Sequence, residues 1–292
     1  MKRIAVLGLR ATAVLAGAGI LAQACARIDG DEPTDFIRFV ELGPGEGRLE
    51  TAAVTYTKGD VEVDLIAAVH VGDAAYYDRL DERFKGYDAV LYEMIKASDQ
   101  EVKPGESSGM LSFFQRALKD TLGLEFQLDA VDYAPKNFHH ADLDPETFLK
   151  LQRDKGESIF SFLLKAMLKD MERQASGKGR PRAGLLDLIA AFSARDSNRS
   201  LKLLLAREIE DLESTLSAAD GGEAVGASVL IAERNKAAMK ALAAALERGE
   251  KKVAIFYGAA HMADLERRLK ADLGLAKKKE EWLVAWDIAK RK

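Results

Sequence analysis

Six short stretches along the chain carry the hydrophobic pattern of strands, four in its first third and two near its end. Phe36 to Leu42 is the first, and Gly43-Pro44-Gly45-Glu46-Gly47 supplies a turn after it. Arg48 to Thr57 is the second, with Lys58-Gly59-Asp60 placed as a hairpin connection. The third alternates from Val61 to Leu65, then runs apolar from Ile66 to Val69, the pattern of a strand whose last half is buried on both faces. An amphipathic helix is predicted next, with Asp73 as N-cap and Tyr76, Leu80 and Phe84 at helical spacing. Ala89-Val90-Leu91-Tyr92 is a further buried strand, so these segments read as a β-α-β unit, which requires a parallel sheet.

From about Ser107 to Leu216 the pattern is mostly helical. Asp144-Pro145 is a strong helix start, an N-cap followed by proline at the first helical position. A helix from about Ala227 to Arg248 leads to Val253-Ala254-Ile255-Phe256-Tyr257, then Gly258 and a helix carrying Met262, Leu265 and Leu269. Trp282 to Trp286 is the last strand. The predicted fold is α/β: a mixed, mostly parallel central sheet built from both ends of the chain, with a large helical insert at about 107–216.

Composition narrows the function classes. Of 292 residues, 48% are hydrophobic, enough for a sizeable core, and the formal charge of −4 offers no basic field for nucleic acid. Neither a GxxxxGK[ST] phosphate loop nor a dinucleotide GxGxxG occurs. The first residues read as an export signal over 1–24: a positive start through Arg10, an apolar run from Ala11 to Leu21, and small residues at Ala22 and Ala24. That run is shorter than the ~20 residues that span a bilayer. Cys25, the sole cysteine, stands directly after the expected cut. An internal disulfide is therefore excluded, and two expectations stay open: a lipid anchor at Cys25, the only membrane attachment foreseen, or free secretion. A linker over 25–35 would precede a single domain over 36–292, facing the periplasm or exterior.

Two of the four histidines occupy equivalent positions. His70 follows one apolar strand end; His261 follows Tyr257 and Gly258 at another. Ligands bind at the carboxyl ends of parallel strands, so both imidazoles are expected on that rim, where imidazole serves as metal ligand or proton carrier. Glu93 sits in the apolar run Val90 to Ile95, where a carboxylate needs a metal, a proton or a partner such as a core arginine. Asn235 shares a helical stripe with Ile231, Ala238 and Leu242, a polar group on a face meant for burial, and Arg234 borders it. His139 and His140 lie in an extended segment, so at most one can face a given site; His140 and Tyr257 are candidates to support the ligands from behind. Gly105-Glu106-Ser107-Ser108-Gly109 matches a nucleophile elbow literally, but a polar loop precedes it where a buried strand is required, so Ser107 is set aside.

Together these residues resemble the TraB/GumN/Tiki family, related in fold to the erythromycin esterase and ChaN-like proteins. Gly258-Ala259-Ala260-His261 matches one GxxH motif; Ala67-Ala68-Val69-His70 matches the other with alanine in place of glycine; Val90 to Glu93 and Glu233-Arg234-Asn235 resemble the glutamate strand and the Arg-Asn helix. The resemblance spans roughly Val61 to Ala285. It implies a divalent-metal site on His70, Glu93 and His261, and in some members peptidase activity on extracytoplasmic peptides or proteins. The expectation is an exported metal-dependent hydrolase with Glu93, Arg234 and Asn235 in catalytic roles, Arg234 or Asn235 stabilising an oxyanion. One ion is expected, with zinc, manganese, cobalt and iron all compatible. The rivals are a haem-, iron- or peptide-binding lipoprotein without turnover, and an interaction protein that kept only the fold.

Overall fold

The long buried run after the first turn builds the organising strand. In the computed structural model, which describes residues 34–97, 122–156, 185–219 and 229–289, this is β2 (Glu46–Lys58). On one edge it pairs antiparallel with β1 (Ile37–Gly43) and then with β3 (Val61–Ala68). Its other edge pairs with the last strand, β9 (Ala276–Ile288). From β3 the sheet continues in parallel through β8 (Lys252–Gly258), β5 (Ala89–Tyr92) and β7 (Phe138–His140). The fold is therefore α/β with a seven-stranded mixed sheet assembled from both ends of the chain, four of its strands running parallel. A second, two-stranded sheet joins β4 (Val71–Gly72) to β6 (Glu125–Phe126).

Helices cover the sheet through the faces their apolar spacing defines. α1 (Ala74–Phe84) buries Tyr76, Tyr77, Leu80 and Phe84. Short α2 (Gln127–Ala130) follows β6, and α3 (Pro145–Asp154) starts as expected, with Asp144 accepting the Thr147 amide at 2.9 Å. After α4 (Leu185–Ser193) and α5 (Ser197–Ala219), a π-helical turn over Val229–Glu233 leads into α6 (Arg234–Glu247). The stripe Ile231, Asn235, Ala238 and Leu242 is buried, as its spacing predicts. α7 (Met262–Leu273) ends on Gly274 at φ +65°, a left-handed cap suited to glycine. Among the described residues no helix is long and apolar enough to cross a membrane.

Five expectations change. The β-α-β unit is real, but β8 lies between β3 and β5, so the His70 and Glu93 strands are not neighbours. The described part of 107–216 is not purely helical: β7 from within it joins the main sheet. Asp73 makes no side-chain cap; it pairs with Lys202 at 2.9 Å and accepts the Asp287 amide instead. Thr34, read as linker, is buried, its amide and hydroxyl both bonded to Glu266. β9 also begins six residues before Trp282, because the charged run Lys277 to Glu281 still satisfies its backbone on β2. The export signal, Cys25 and Gly105 to Gly109 lie outside the described residues.

Candidate functional site

Register brings the predicted residues to one rim. Ala68 pairs with Gly258 and Phe256 with Tyr92, so the parallel strands end nearly level. His70 and Glu93 stand just beyond two of those ends, on either side of Gly258. A methyl group added to Gly258 would lie 3.3 Å from Glu93 Oε2 and 3.4 Å from His70 Nε2. Its φ of −55° is ordinary, so glycine is needed here for space rather than for backbone freedom. Its amide also donates to Glu93 Oε2 at 2.6 Å. His261 enters from the single 3₁₀ turn that joins β8 to α7. Its Nε2 lies 3.5 Å from Glu93 Oε1. Glu93 and His261 are buried, whereas His70 is exposed and marks the open side.

Both imidazoles are held by their far nitrogen. His261 Nδ1 lies 2.7 Å from the Asn235 side-chain oxygen, whose orientation is fixed because the same amide's nitrogen donates to Asp264 at 2.8 Å and to the His261 carbonyl at 3.1 Å. His70 Nδ1 lies 3.0 Å from the Gln127 side-chain oxygen, and the Gln127 amide nitrogen donates to Tyr133. The β4–β6 pair makes this second contact by bringing the Gln127 backbone amide to the His70 carbonyl at 2.9 Å. In each ring Nδ1 donates to a side-chain amide oxygen, and the Nε2 atoms lie on the other side, that of His261 facing Glu93 and that of His70 beside Gly258. Metal-ligating histidines usually donate from the far nitrogen to a carboxylate, a backbone carbonyl or water, and here two side-chain amide oxygens take that place.

Arg234, the first residue of α6, reaches Glu93 Oε1 at 2.6 Å and grips Asp142 through Nε at 3.0 Å and Nη2 at 2.5 Å. The Asp142 side chain is fully buried, and those of Glu93 and Arg234 are 8% and 11% exposed. Two carboxylates thus share one guanidinium in a region where an uncompensated charge is costly, with His261 as the next group against Glu93. Burial alone would push the Glu93 carboxyl up, but His261, Arg234 and His70 together hold it well below the carboxylate range. Burial would likewise lower Arg234, yet Asp142 and Glu93 raise it, so it stays charged. Tyr257 rises well above 10.0 through burial, then through Asp142 and Glu93, and remains a neutral phenol.

The expected residues converge, with two changes of role. Asn235 is fully buried with both ends of its amide committed, so it holds His261 and is not free to meet an oxyanion. His140 faces away from the centre, its Nε2 2.6 Å from the Met94 carbonyl, which fixes the chain just after Glu93. Tyr257 does support the site: its ring packs edge-on to His261, and its hydroxyl donates to the Ala141 carbonyl at 2.5 Å, beside Asp142. Ala67 is fully buried, and its carbonyl accepts the Tyr76 hydroxyl, so the missing first glycine leaves no gap. Asp142, Gln127 and Asp264 were missed. Asp142 was visible only as a turn residue before a helix, and nothing in the pattern around Gln127 or Asp264 pointed to a partner so distant in sequence.

Two imidazole Nε2 atoms and a carboxylate are a donor set that fits a divalent cation in kind and tautomer. Among the described residues, however, no group of three His, Cys, Asp or Glu side chains stands at coordinating distances, and Arg234 holds one Glu93 oxygen. What the fold and site define is an α/β protein with a histidine–carboxylate–arginine centre at its parallel strand ends. No protein-family model matches the chain, and no curated protein matches its sequence.

Proposed function

We propose that this protein is an exported, divalent-metal-dependent hydrolase acting on peptide bonds of extracytoplasmic substrates. The observation that carries this reading is the pair of imidazoles with Nδ1 tied to side-chain amides and Nε2 turned towards one carboxylate. The buried pair of carboxylates on one arginine supports it, since a dication is a partner that Glu93 could take in place of Arg234. His70, Glu93 and His261 would hold the ion, which when bound lowers the pKa of its water and polarises a carbonyl. Gly258 keeps the space between His70 and Glu93 clear and fixes the carboxylate through its amide. Asn235 and Gln127 keep both rings in the ligating tautomer. Arg234 supplies a permanent positive charge beside the centre, and its Nη1, on the His261 side, is the donor committed to neither carboxylate. That group is suited to an oxyanion developing on the substrate. The apolar start of the chain supports export, with Cys25 as a lipid attachment point.

The Arg234–Glu93 contact favours a second reading, in which the rim binds a peptide without turnover and without metal. Elemental analysis of the purified protein beside His261→Ala separates the two. Near-stoichiometric zinc, manganese, cobalt or iron, lost in the variant together with chelator-sensitive peptide cleavage, is the expected result. Metal no higher than in the variant overturns the hydrolase mechanism, and peptide binding unmoved by chelator would establish the second reading.

A further inference from the structure

The Arg234 guanidinium has two seats of unequal hold. It meets Asp142 in a fork through Nε and Nη2, but touches Glu93 through Nη2 alone. Asp142 has no other cationic partner among the described residues, and no exposure to solvent through which to find one. Arg234 can therefore leave Glu93 without becoming an unpaired buried charge, whereas leaving Asp142 would strand both groups. The π-helical turn directly before Arg234 breaks the regular helical ladder where the guanidinium is aimed.

We propose that Arg234 is a displaceable stand-in cation: it neutralises Glu93 in the metal-free protein and withdraws wholly onto Asp142 when a divalent ion takes that carboxylate. Asp142 is then a positioning residue that sets metal affinity without touching the metal. The proposal rests on His70, Glu93 and His261 being the ligands. It adds that affinity is set by competition for a Glu93 oxygen. The fork and charge of arginine suit this role better than lysine, because the planar group can keep two bonds to Asp142 after releasing its third contact.

The test is Zn²⁺ affinity of the full-length protein, read by competition with a chromophoric chelator. Arg234→Met is expected to bind at least about tenfold more tightly, the scale of one charge-assisted hydrogen bond. Asp142→Asn is expected to bind about tenfold more weakly, because Arg234 then leans on Glu93. A plain field effect of either charge would give the same signs, so the double variant decides. With Arg234 gone, the Asp142→Asn penalty should shrink to within about threefold, a non-additivity that independent charges would not show. Crystals of the wild-type protein with and without Zn²⁺ test the same point should a variant fail to fold: Arg234 should stay on Asp142 and part from Glu93 in the loaded form. Additive variants, or an unbroken Arg234–Glu93 contact beside bound Zn²⁺, overturn the stand-in while leaving the metal site intact. No Zn²⁺ binding by the wild type overturns both.

Discussion

The two ends of the parallel strands each bury an aspartate or glutamate against an arginine, yet they differ in what remains unpaired. At the strand starts, Asp64 meets Arg83 at 3.3 Å and the Tyr87 hydroxyl, beside a groove of about 260 Å³. Around it Arg83 is shared with Glu281, which Lys279 also meets, Lys278 meets Glu62, and Asp64 Oδ1 is buried without a hydrogen-bond partner. At the strand ends, one arginine serves two carboxylates, and two imidazoles turn acceptor nitrogens inward. A buried ion pair alone therefore does not mark a site. The better mark is two imidazoles and a carboxylate brought together beside one glycine, a group of side chains that the strand starts lack.

Arginine removal should separate the two ends most sharply. Arg234→Ala in chelator-treated protein leaves Glu93 and Asp142 buried side by side and should cost about 3–5 kcal/mol in urea unfolding. Arg83→Ala should cost only about 1–2 kcal/mol, since Asp64 keeps the Tyr87 hydroxyl and the guanidinium is partly exposed. Added Zn²⁺ should restore much of the Arg234→Ala loss and none of the Arg83→Ala loss. Equal losses, equally indifferent to metal, would make the two clusters physically alike.

Asn235→Ala comes next. It frees the His261 ring to flip or change tautomer, and should lower metal affinity about 10–100-fold. The same measurement on Tyr87→Phe, at the other end, should show no change. An Asn235→Ala protein that folds and keeps full affinity would mean the tautomer argument has no consequence.

Much of this rim could be read from the chain, and the reason is geometric. Ile66 to Val69 and Val253 to Tyr257 are continuous apolar runs, so the polar residues that follow each run sit at the ends of the parallel strands. That logic locates His70, Glu93 and His261 without any knowledge of strand order. It cannot order the strands: nothing local tells β8 to enter between β3 and β5, because all three present the same apolar pattern. Asp142 was illegible for a related reason. It lies two residues beyond β7, which is three residues long with two histidines in it and becomes a strand only by docking on β5. Gly258 was quoted as a motif letter, and its physical role appears only when Glu93 and His70 are seen on either side of it.

Acid sensitivity should also concentrate at the rim. The folded Glu93 pKa lies below the ordinary 4.5, so its contribution to stability is fully present above about 4.5 and is lost as pH falls towards the folded value. Over that window Glu93→Gln should flatten the stability profile of the metal-free protein by up to about 1.4 kcal/mol per pH unit, the limit for one proton. Glu266, also held low despite burial, by Lys270, the Thr34 amide and Tyr56, should leave a residual slope in both proteins. A Glu93→Gln profile parallel to the wild type below pH 4.5 would show that the rim's carboxylate is not the group being titrated.

The smallest expected effect bears on the comparison from the other side. Lys278 reaches Glu62 at 3.6 Å with its side chain 61% exposed, so Lys278→Ala should change stability by less than about 0.5 kcal/mol. It should leave Zn²⁺ affinity unchanged as well. The starting end of the sheet is separated from the rim by the length of β3, about 20 Å at ~3.3 Å per residue, more than two Debye lengths at physiological salt. Exposed charge at that distance is screened from the buried carboxylates. If Lys278→Ala nonetheless shifted metal affinity severalfold, the two ends would be coupled through the sheet itself, and the groove beside Asp64 would have to be treated as part of the working site.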